Sequence, residues 1–262
     1  MSFSDYEGKI IHRTRDEFGE LIVTEGAMNR SLYFGQGAKQ SSMFVDFPDD
    51  LTMHYSRAMM SGLIFNPHPR NSLLIGLGGG SIVKFLIRAC PECRLDVIEL
   101  RGKVIDLSHE FFALPRTRPN LNIMQADGRE YVFKCEQTPD CRYDLILVDA
   151  YDDSGQVDEV ADREFITAAK ECLTRQGILV YNLWNRSEGN YYHCRNLINS
   201  IFAGSHLQLV LEGDKGHAII FAFRTPISMN EVKNMKSNAR DLQAAFHISF
   251  PKFLDTIVRQ NS

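Results

Sequence analysis

The sequence predicts an α/β fold in which a small antiparallel β domain precedes a seven-stranded sheet covered by helices. Short β patterns separated by turn residues occupy positions 9–46, and from Ser72 onward short apolar runs alternate with helical patterns. The 262 residues are 44% hydrophobic and 24% charged, which is typical of a folded globular protein. We therefore predict a small amino-terminal domain over 1–50 and a larger domain over 51–262.

The small domain is predicted from four strand patterns that alternate with turn residues. Gly19 and Gly35 lie in two of these turns. A helical pattern over 51–65 then leads into the second domain and ends at Pro67 and Pro69. The predicted strands are 9–13, 20–25, 30–34 and 41–45.

The large domain is predicted as seven strands, of which the last two are separated only by the turn 212–216. Such a short connection indicates a hairpin, so we expect the last strand to be antiparallel. This arrangement is typical of the S-adenosylmethionine-methyltransferase type of Rossmann-like sheet. One or two helices are expected beyond Ser228. The predicted strands are 72–76, 94–99, 121–125, 145–149, 177–183, 206–211 and 218–223.

Composition excludes several classes of function. A formal net charge of −4 gives no basic surface for nucleic acid. No apolar run approaches the roughly 18 residues of a membrane span, and no leader is recognisable, so we expect a cytoplasmic protein. The six cysteines are interpreted as reduced structural thiols, including the Cys90 and Cys93 pair. The histidines show no ligand spacing, so no metal is expected.

A glycine-rich turn is the first candidate ligand site. Gly76, Gly78, Gly79 and Gly80 follow an apolar strand and open a helical segment, where backbone approaches a ligand closely beside a helix N-terminus. The turn lacks the Lys-Ser/Thr ending of a P-loop. Tight strand-to-helix packing is the alternative interpretation.

Acidic residues follow the next two strands. Glu99 ends the second strand, where a carboxylate can accept from both hydroxyls of a ribose. Asp127, followed by Gly128, ends the third strand and could accept from an adenine amino group, although a helix N-cap is the alternative. Since ligands bind outside the carboxyl ends of such strands, we predict a nucleoside site there.

The fourth strand ends in an acidic cluster. Asp149, Asp152 and Asp153 repel one another unless a cation is bound. They are suited to hold an ammonium group and to take the proton that an attacking amine must lose. Trp184, beyond the fifth strand, either lines an acceptor pocket or packs in the core.

These motifs, in this order, resemble the spermidine synthase family of polyamine aminopropyltransferases over about residues 72–184. The resemblance implies a small-molecule amine acceptor, a homodimer and no prosthetic group, with decarboxylated S-adenosylmethionine as the aminopropyl donor. It assigns Glu99 to the ribose, Asp127 to the adenine, Asp149 to the base and Asp152 to the amine, with Tyr55 as a site tyrosine and Gln40 contacting the donor.

The sequence also departs from the family pattern. Gly79 stands where the family has an aspartate that holds the donor ammonium, and Ser56 and Arg57 replace a Gln-Glu pair on the diamine side. Two alternatives therefore stay open. One is a methyltransferase that uses intact S-adenosylmethionine, and the other is a non-catalytic nucleoside-binding protein of the same fold.

Overall fold

Two β-sheets organise the protein, one small and one large. The computed structural model describes residues 6–35, 39–151, 160–184, 188–211 and 216–262, without the side chains of 188–190. The sheets share a hydrophobic cluster that contains Leu21 and Leu32 of the small sheet and Leu74 and Leu147 of the large one. The domain boundary at residue 50 stays a prediction.

The small sheet consists of four antiparallel strands in chain order, as predicted. Gly19 adopts φ of +116° and reverses the chain at the first turn, a conformation that L side chains rarely adopt. Leu21, Ile22 and Val23 of β2 are all fully buried, so both faces of this strand are covered. The strands are β1 Lys9–Asp16, β2 Gly19–Glu25, β3 Asn29–Phe34 and β4 Lys39–Phe44.

The connector forms two short helices, α1 His54–Met59 and α2 Gly62–Phe65, so the prediction of one helix over 51–65 was wrong. Leu51 instead forms a β-bridge with Met43. The second of these helices packs tightly on the large sheet. A Cβ on Gly62 would lie 2.9 Å from Val180 Cγ2, a contact that only glycine allows.

The large sheet has the order β10-β11-β9-β8-β5-β6-β7, which confirms the predicted seven strands. The strands β5 to β9 are mutually parallel, and β11 is antiparallel to both β9 and β10. The antiparallel strand is last in sequence but lies inside the sheet. Residues 212–215 of the predicted hairpin turn lie outside the described residues. The strands are β5 Asn71–Ile75, β6 Arg94–Glu99, β7 Leu121–Gln125, β8 Tyr143–Val148, β9 Leu173–Trp184, β10 His206–Val210 and β11 His217–Phe223.

Helices cover both faces of this sheet. Because successive strand residues point to opposite faces, Leu73 packs in one hydrophobic cluster and Leu74 in the other. Three helices follow Ser228 instead of one or two, because Met235 and His247 each end a helix, His247 in the left-handed region at φ of 56°. The helices are α3 Ser81–Ala89, α4 Gly102–Phe111, α5 Gly128–Glu136, α6 Arg163–Glu171, α7 Glu188–Ile201, α8 Met229–Asn234, α9 Lys236–Phe246 and α10 Phe250–Asn261.

The cysteines differ from the prediction at one pair. Cys135 and Cys141 form a disulfide, because the end of α5 and the return to β8 bring their Cα atoms within 5.2 Å. The other four cysteines are free and buried, and burial raises the pKa of Cys172 and Cys194 to about 12. These thiols are therefore structural. In the described part of the chain, no helix is long and apolar enough to cross a membrane.

Candidate active site

A cavity of about 560 Å³ opens at the carboxyl ends of β5, β6 and β8. This is where open α/β sheets bind ligands, and the volume suits a small molecule. Among the described residues, Gly79 and Gly80 do not line it, and Asp152 and Asp153 lie outside the described part of the chain. The predicted site residues that line the cavity are Gln40, Tyr55, Gly76, Gly78, Glu99, Asp127, Gly128 and Asp149.

The glycine turn after β5 lies directly against the end of β8. Gly76 has φ of +92°, and a Cβ there would lie 2.2 Å from the carbonyl oxygen of Asp149. Any side chain would thus force β5 and β8 apart. Gly79 packs differently, since its Cβ would lie 2.9 Å from both Phe112 Cδ1 and Ser41 Oγ. The position where the family has an aspartate therefore has no room for a side chain.

Glu99 is buried at the end of β6 and is held by backbone donors on both sides. The N–H of Leu77 donates to Oε2 and that of Arg101 donates to Oε1, each at 2.9 Å. Burial raises the pKa of Glu99, while these two hydrogen bonds and the Arg101 charge lower it. A third backbone hydrogen bond comes from Gly78, and the carboxylate still has a lone pair with which it can accept from a hydroxyl.

Arg101 joins the small sheet to this site, and sequence reasoning missed it. Its guanidinium donates to Asp16 Oδ2 from Nε at 3.0 Å and to Oδ1 from Nη2 at 2.6 Å. Both side chains are 6% exposed. Arg101 also lies 4.5 Å from the ring centroid of Phe34. The partners are 85 residues apart, so no local pattern could have revealed the pair.

Asp127 has the role that was named as the alternative, because it is the N-cap of α5. Its Oδ1 accepts from the backbone N–H of Glu130 at 3.0 Å. The same residue lines the cavity, as does Gly128, whose missing Cβ lets α5 approach Ile75. The cap engages Oδ1, and the carboxylate has further lone pairs with which it can accept another hydrogen bond.

Asp149 follows β8 and lies at the floor of the cavity. Its Oδ1 accepts from Asn182 Nδ2 at 2.8 Å, and Tyr55 also donates to its carboxylate. Burial raises the pKa of Asp149 to about 6, and the hydrogen bonds from Asn182 and Tyr55 lower it. The side chain is thus mostly ionised at neutral pH. Its pKa is close enough to neutral for the carboxylate to accept and release protons readily.

An aromatic wall surrounds Asp149. The rings of Tyr55 and His217 stack with centroids 4.7 Å apart, and Trp184 lies 6.5 Å from His217 on a nearly parallel plane. Tyr151 contacts both Trp184 and His217 edge-on. Trp184 lines the cavity, which was one of its two predicted places. His217 was missed because only the antiparallel register of β11 places it opposite Trp184.

The substituted diamine-side residues do not add a positive charge to the cavity. Arg57 points away and donates from Nε to the carbonyl of Leu51 at 2.7 Å. It is not among the described residues that line the cavity, whereas Ser56 is. The guanidinium of Arg57 therefore lies outside the described lining of the cavity, whereas its neighbour Ser56 lies within it.

Comparison with known proteins then identifies the family. The model of the spermine/spermidine synthase domain matches residues 53–201. A polyamine aminopropyltransferase from Chromobacterium violaceum is 31% identical over 242 residues, which are 92% of this chain and 90% of the relative. The chain belongs to the spermine/spermidine synthase family. Membership of this family, predicted from the motifs, is thereby confirmed.

Solved structures of spermidine synthases share the fold. A probable spermidine synthase from Corynebacterium glutamicum superposes with a TM-score of 0.71 at 18% identity, covering 88% of this chain and 87% of that protein. A spermidine synthase in complex with the transition-state analogue AdoDATO gives a TM-score of 0.69 at 17% identity, covering 87% and 79%. The predicted α/β fold class is confirmed by these likenesses and by the sheet order.

Proposed function

We propose that this family member transfers an aminopropyl group from decarboxylated S-adenosylmethionine to a small amine. The observation that carries the proposal is the placement of Asp149, with its pKa near 6, in the same cavity as Glu99 and Asp127. A base beside a nucleoside site is what an amine-accepting transfer requires. A relative that matches 92% of the chain is a polyamine aminopropyltransferase, so methyl transfer is the less favoured alternative.

The donor half of the proposal rests on three strand ends. Glu99 would accept from the ribose hydroxyls, Asp127 from the adenine amino group, and Gly76 and Gly78 would let the nucleoside approach the backbone. Gln40 would contact the chain that leaves sulfur. No prosthetic group is needed, because the sulfonium itself activates the carbon that is attacked.

The charge of the cavity supports a cationic donor. Among its described lining residues, the lysine and arginine side chains are already paired with acids, Lys39 with Glu7 and Arg101 with Asp16. Glu99, Asp127 and Asp149 have no such salt bridge among the described ion pairs. A donor that has lost its carboxylate suits this balance better than one that retains it.

The acceptor half of the proposal places the amine between Asp149 and the aromatic wall. The amine nitrogen attacks the carbon next to sulfur, so a C–N bond forms as the C–S bond breaks and its electron pair returns to sulfur. A free alkylamine has a pKa of about 10, and the proton it loses passes to Asp149. Most of the acceleration would come from holding the two reactants in line. Asp152 is proposed to hold the amine.

The test first compares two donors and then removes the acid Asp149. Calorimetric titration with decarboxylated and intact S-adenosylmethionine should show preference for the first, and putrescine should then be converted to an aminopropyl product. Asp149→Asn should lower kcat by about 10²–10⁴-fold, the usual range for a lost general base, with donor affinity unchanged. The control is Asp241→Asn, an exposed acid on α9. Methyl transfer from the intact donor, or binding of neither, would overturn the proposal.

We also propose a homodimer and a cytoplasmic location. Large apolar side chains are exposed in the loops before β3 and after β4, with Met28 at 69%, Val45 at 40% and Phe47 at 66%. Apolar exposure of this kind is typical of a surface that another protein covers. Sedimentation that shows only monomer would reject the dimer, and cell fractionation tests the location.

A further inference from the structure

A hydrogen-bonded chain leads along the cavity lining from Asp149 through Asn182 to His217 on β11. Asn182 Nδ2 donates to Asp149 Oδ1 at 2.8 Å, and Asn182 Oδ1 lies 2.9 Å from His217 Nδ1. An ionised carboxylate only accepts hydrogen bonds, so the amide nitrogen must face Asp149 and the amide oxygen must face the histidine. His217 Nδ1 therefore carries a hydrogen and donates to Asn182.

The same histidine supports the second donor to Asp149. Tyr55, which donates to the carboxylate, stacks on the His217 ring at 4.7 Å with the planes 19° apart. His217 begins β11 and pairs in register with Trp184 of β9, so its position is set by the large sheet. Both donors to Asp149 thus contact the same side chain, His217, which lies on β11.

We propose that His217 is a positioning residue that holds the Asp149 carboxylate in the orientation needed to accept the proton of the acceptor amine. It acts through Asn182 by a hydrogen bond and through Tyr55 by stacking. This inference rests on the proposed function, since it deepens the role of the base. Asn182 is 1% exposed. Loss of the Nδ1 donor would therefore leave its buried amide oxygen without the hydrogen bond from His217.

The protonation of Asp149 should report this loss. If Asn182 rotates away, Asp149 keeps its burial but loses a hydrogen bond to its charged form, and its pKa rises further. The titratable groups that face Asp149 from the elements packed against it are Tyr55 on α1, Tyr151 after β8 and His217 on β11. The other titratable or charged residues that line the described part of the cavity are Lys39, Glu99, Arg101 and Asp127.

Three substitutions separate the hydrogen bond from the stacking. His217→Gln keeps an N–H donor without the ring, His217→Phe keeps the ring without the donor, and His217→Leu keeps neither. We expect His217→Leu to lower kcat by about 10²-fold, the effect of a displaced catalytic group. The phenylalanine variant should lose a similar factor, and glutamine should recover most of it. His193→Leu, an exposed histidine on α7, is the control.

Two measurements distinguish positioning from a loss of structure. Binding of the nucleoside thioether product should stay within about twofold in all variants, because Glu99 and Asp127 are untouched. The acidic limb of the kcat profile should move to higher pH by about one unit in His217→Phe and stay near the wild-type position in His217→Gln. Equal kcat and an equal profile in wild type and His217→Phe would overturn the inference.

A titration that does not depend on turnover completes the test. Carbon-13 NMR of labelled aspartate should show the pKa of Asp149 raised in His217→Phe relative to wild type, whether or not the protein transfers an aminopropyl group. Absence of transfer by the wild type would reject the proposed function alone. An unchanged Asp149 titration in a folded His217→Phe protein would reject the positioning role alone.

Discussion

Removal of the Asp16 carboxylate should weaken the protein far more than removal of any neighbouring surface charge. The Asp16→Ala change leaves the Arg101 guanidinium buried beside Phe34 without its two short hydrogen bonds. Breaking one side of a buried ion pair destabilises proteins by about 3–5 kcal/mol. Arg101 Nη2 keeps one acceptor, the carbonyl of Gly19 at 3.1 Å, so we expect the lower end, about 3 kcal/mol.

The same hairpin supplies a matched control. Glu20 pairs with Arg13 at 2.9 Å, but the side chains are 30% and 52% exposed. Exposed pairs contribute about 0–1 kcal/mol, so Glu20→Ala should change the free energy of unfolding by no more than that. At about 2–4 °C per kcal/mol for a chain of this size, the melting temperature should fall by about 6–12 °C for Asp16→Ala and by at most about 4 °C for the control.

The assay is urea unfolding followed by circular dichroism and by the fluorescence of Trp184, the single tryptophan of the chain. Donor affinity should fall with stability, because the backbone N–H of Arg101 donates to Glu99 and the displaced arginine shifts that carboxylate. A loss below 1 kcal/mol for Asp16→Ala, equal to that of Glu20→Ala, would refute the argument that this pair joins the small sheet to the donor site.

Three further outcomes follow from the site. Glu99→Gln should weaken donor binding at least about tenfold in calorimetry, because its amide nitrogen cannot accept from one of the two backbone N–H groups that now donate to the carboxylate. Unchanged affinity would contradict this. Gly79→Ala should lower the free energy of unfolding by about 1–3 kcal/mol through overpacking, whereas Gly26→Ala, whose Cβ would meet nothing nearer than 3.6 Å, should not. With its pKa raised to about 6, Asp149 is protonated below that pH, so kcat/KM should fall on the acidic side with a midpoint near 6. A profile that stays flat down to about pH 5 would reject Asp149 as the base.

Most of the strands were predictable because their signals are local. The bounds of β6 and β7 agree with the prediction at both ends, since each is a short apolar run with turn residues on both sides. The connector was harder to predict. Its helical spacing is real, but the helix is interrupted at Met60 and Ser61, and Gly62 then packs against β9, more than a hundred residues away.

The candidate site divides in the same way. Glu99, Asp127 and Asp149 were predictable because each lies at or just beyond the end of a predicted strand, and the ends of parallel strands meet at one edge. Gly79 and Gly80 were grouped with the ligand-binding glycines, but they face packed side chains. The pattern of a turn does not reveal which of its residues face a cavity and which face Phe112 or Leu114.

The sequence by itself determined the fold class, the family and the acids at three strand ends, because strand periodicity and short motifs are properties of neighbouring residues. Only the tertiary structure decided that Arg101 pairs with Asp16 and that His217 reaches Asn182. Those contacts join residues 85 and 35 positions apart. They depend on the register of β11 against β9 and on the seating of the small sheet, which no local pattern encodes.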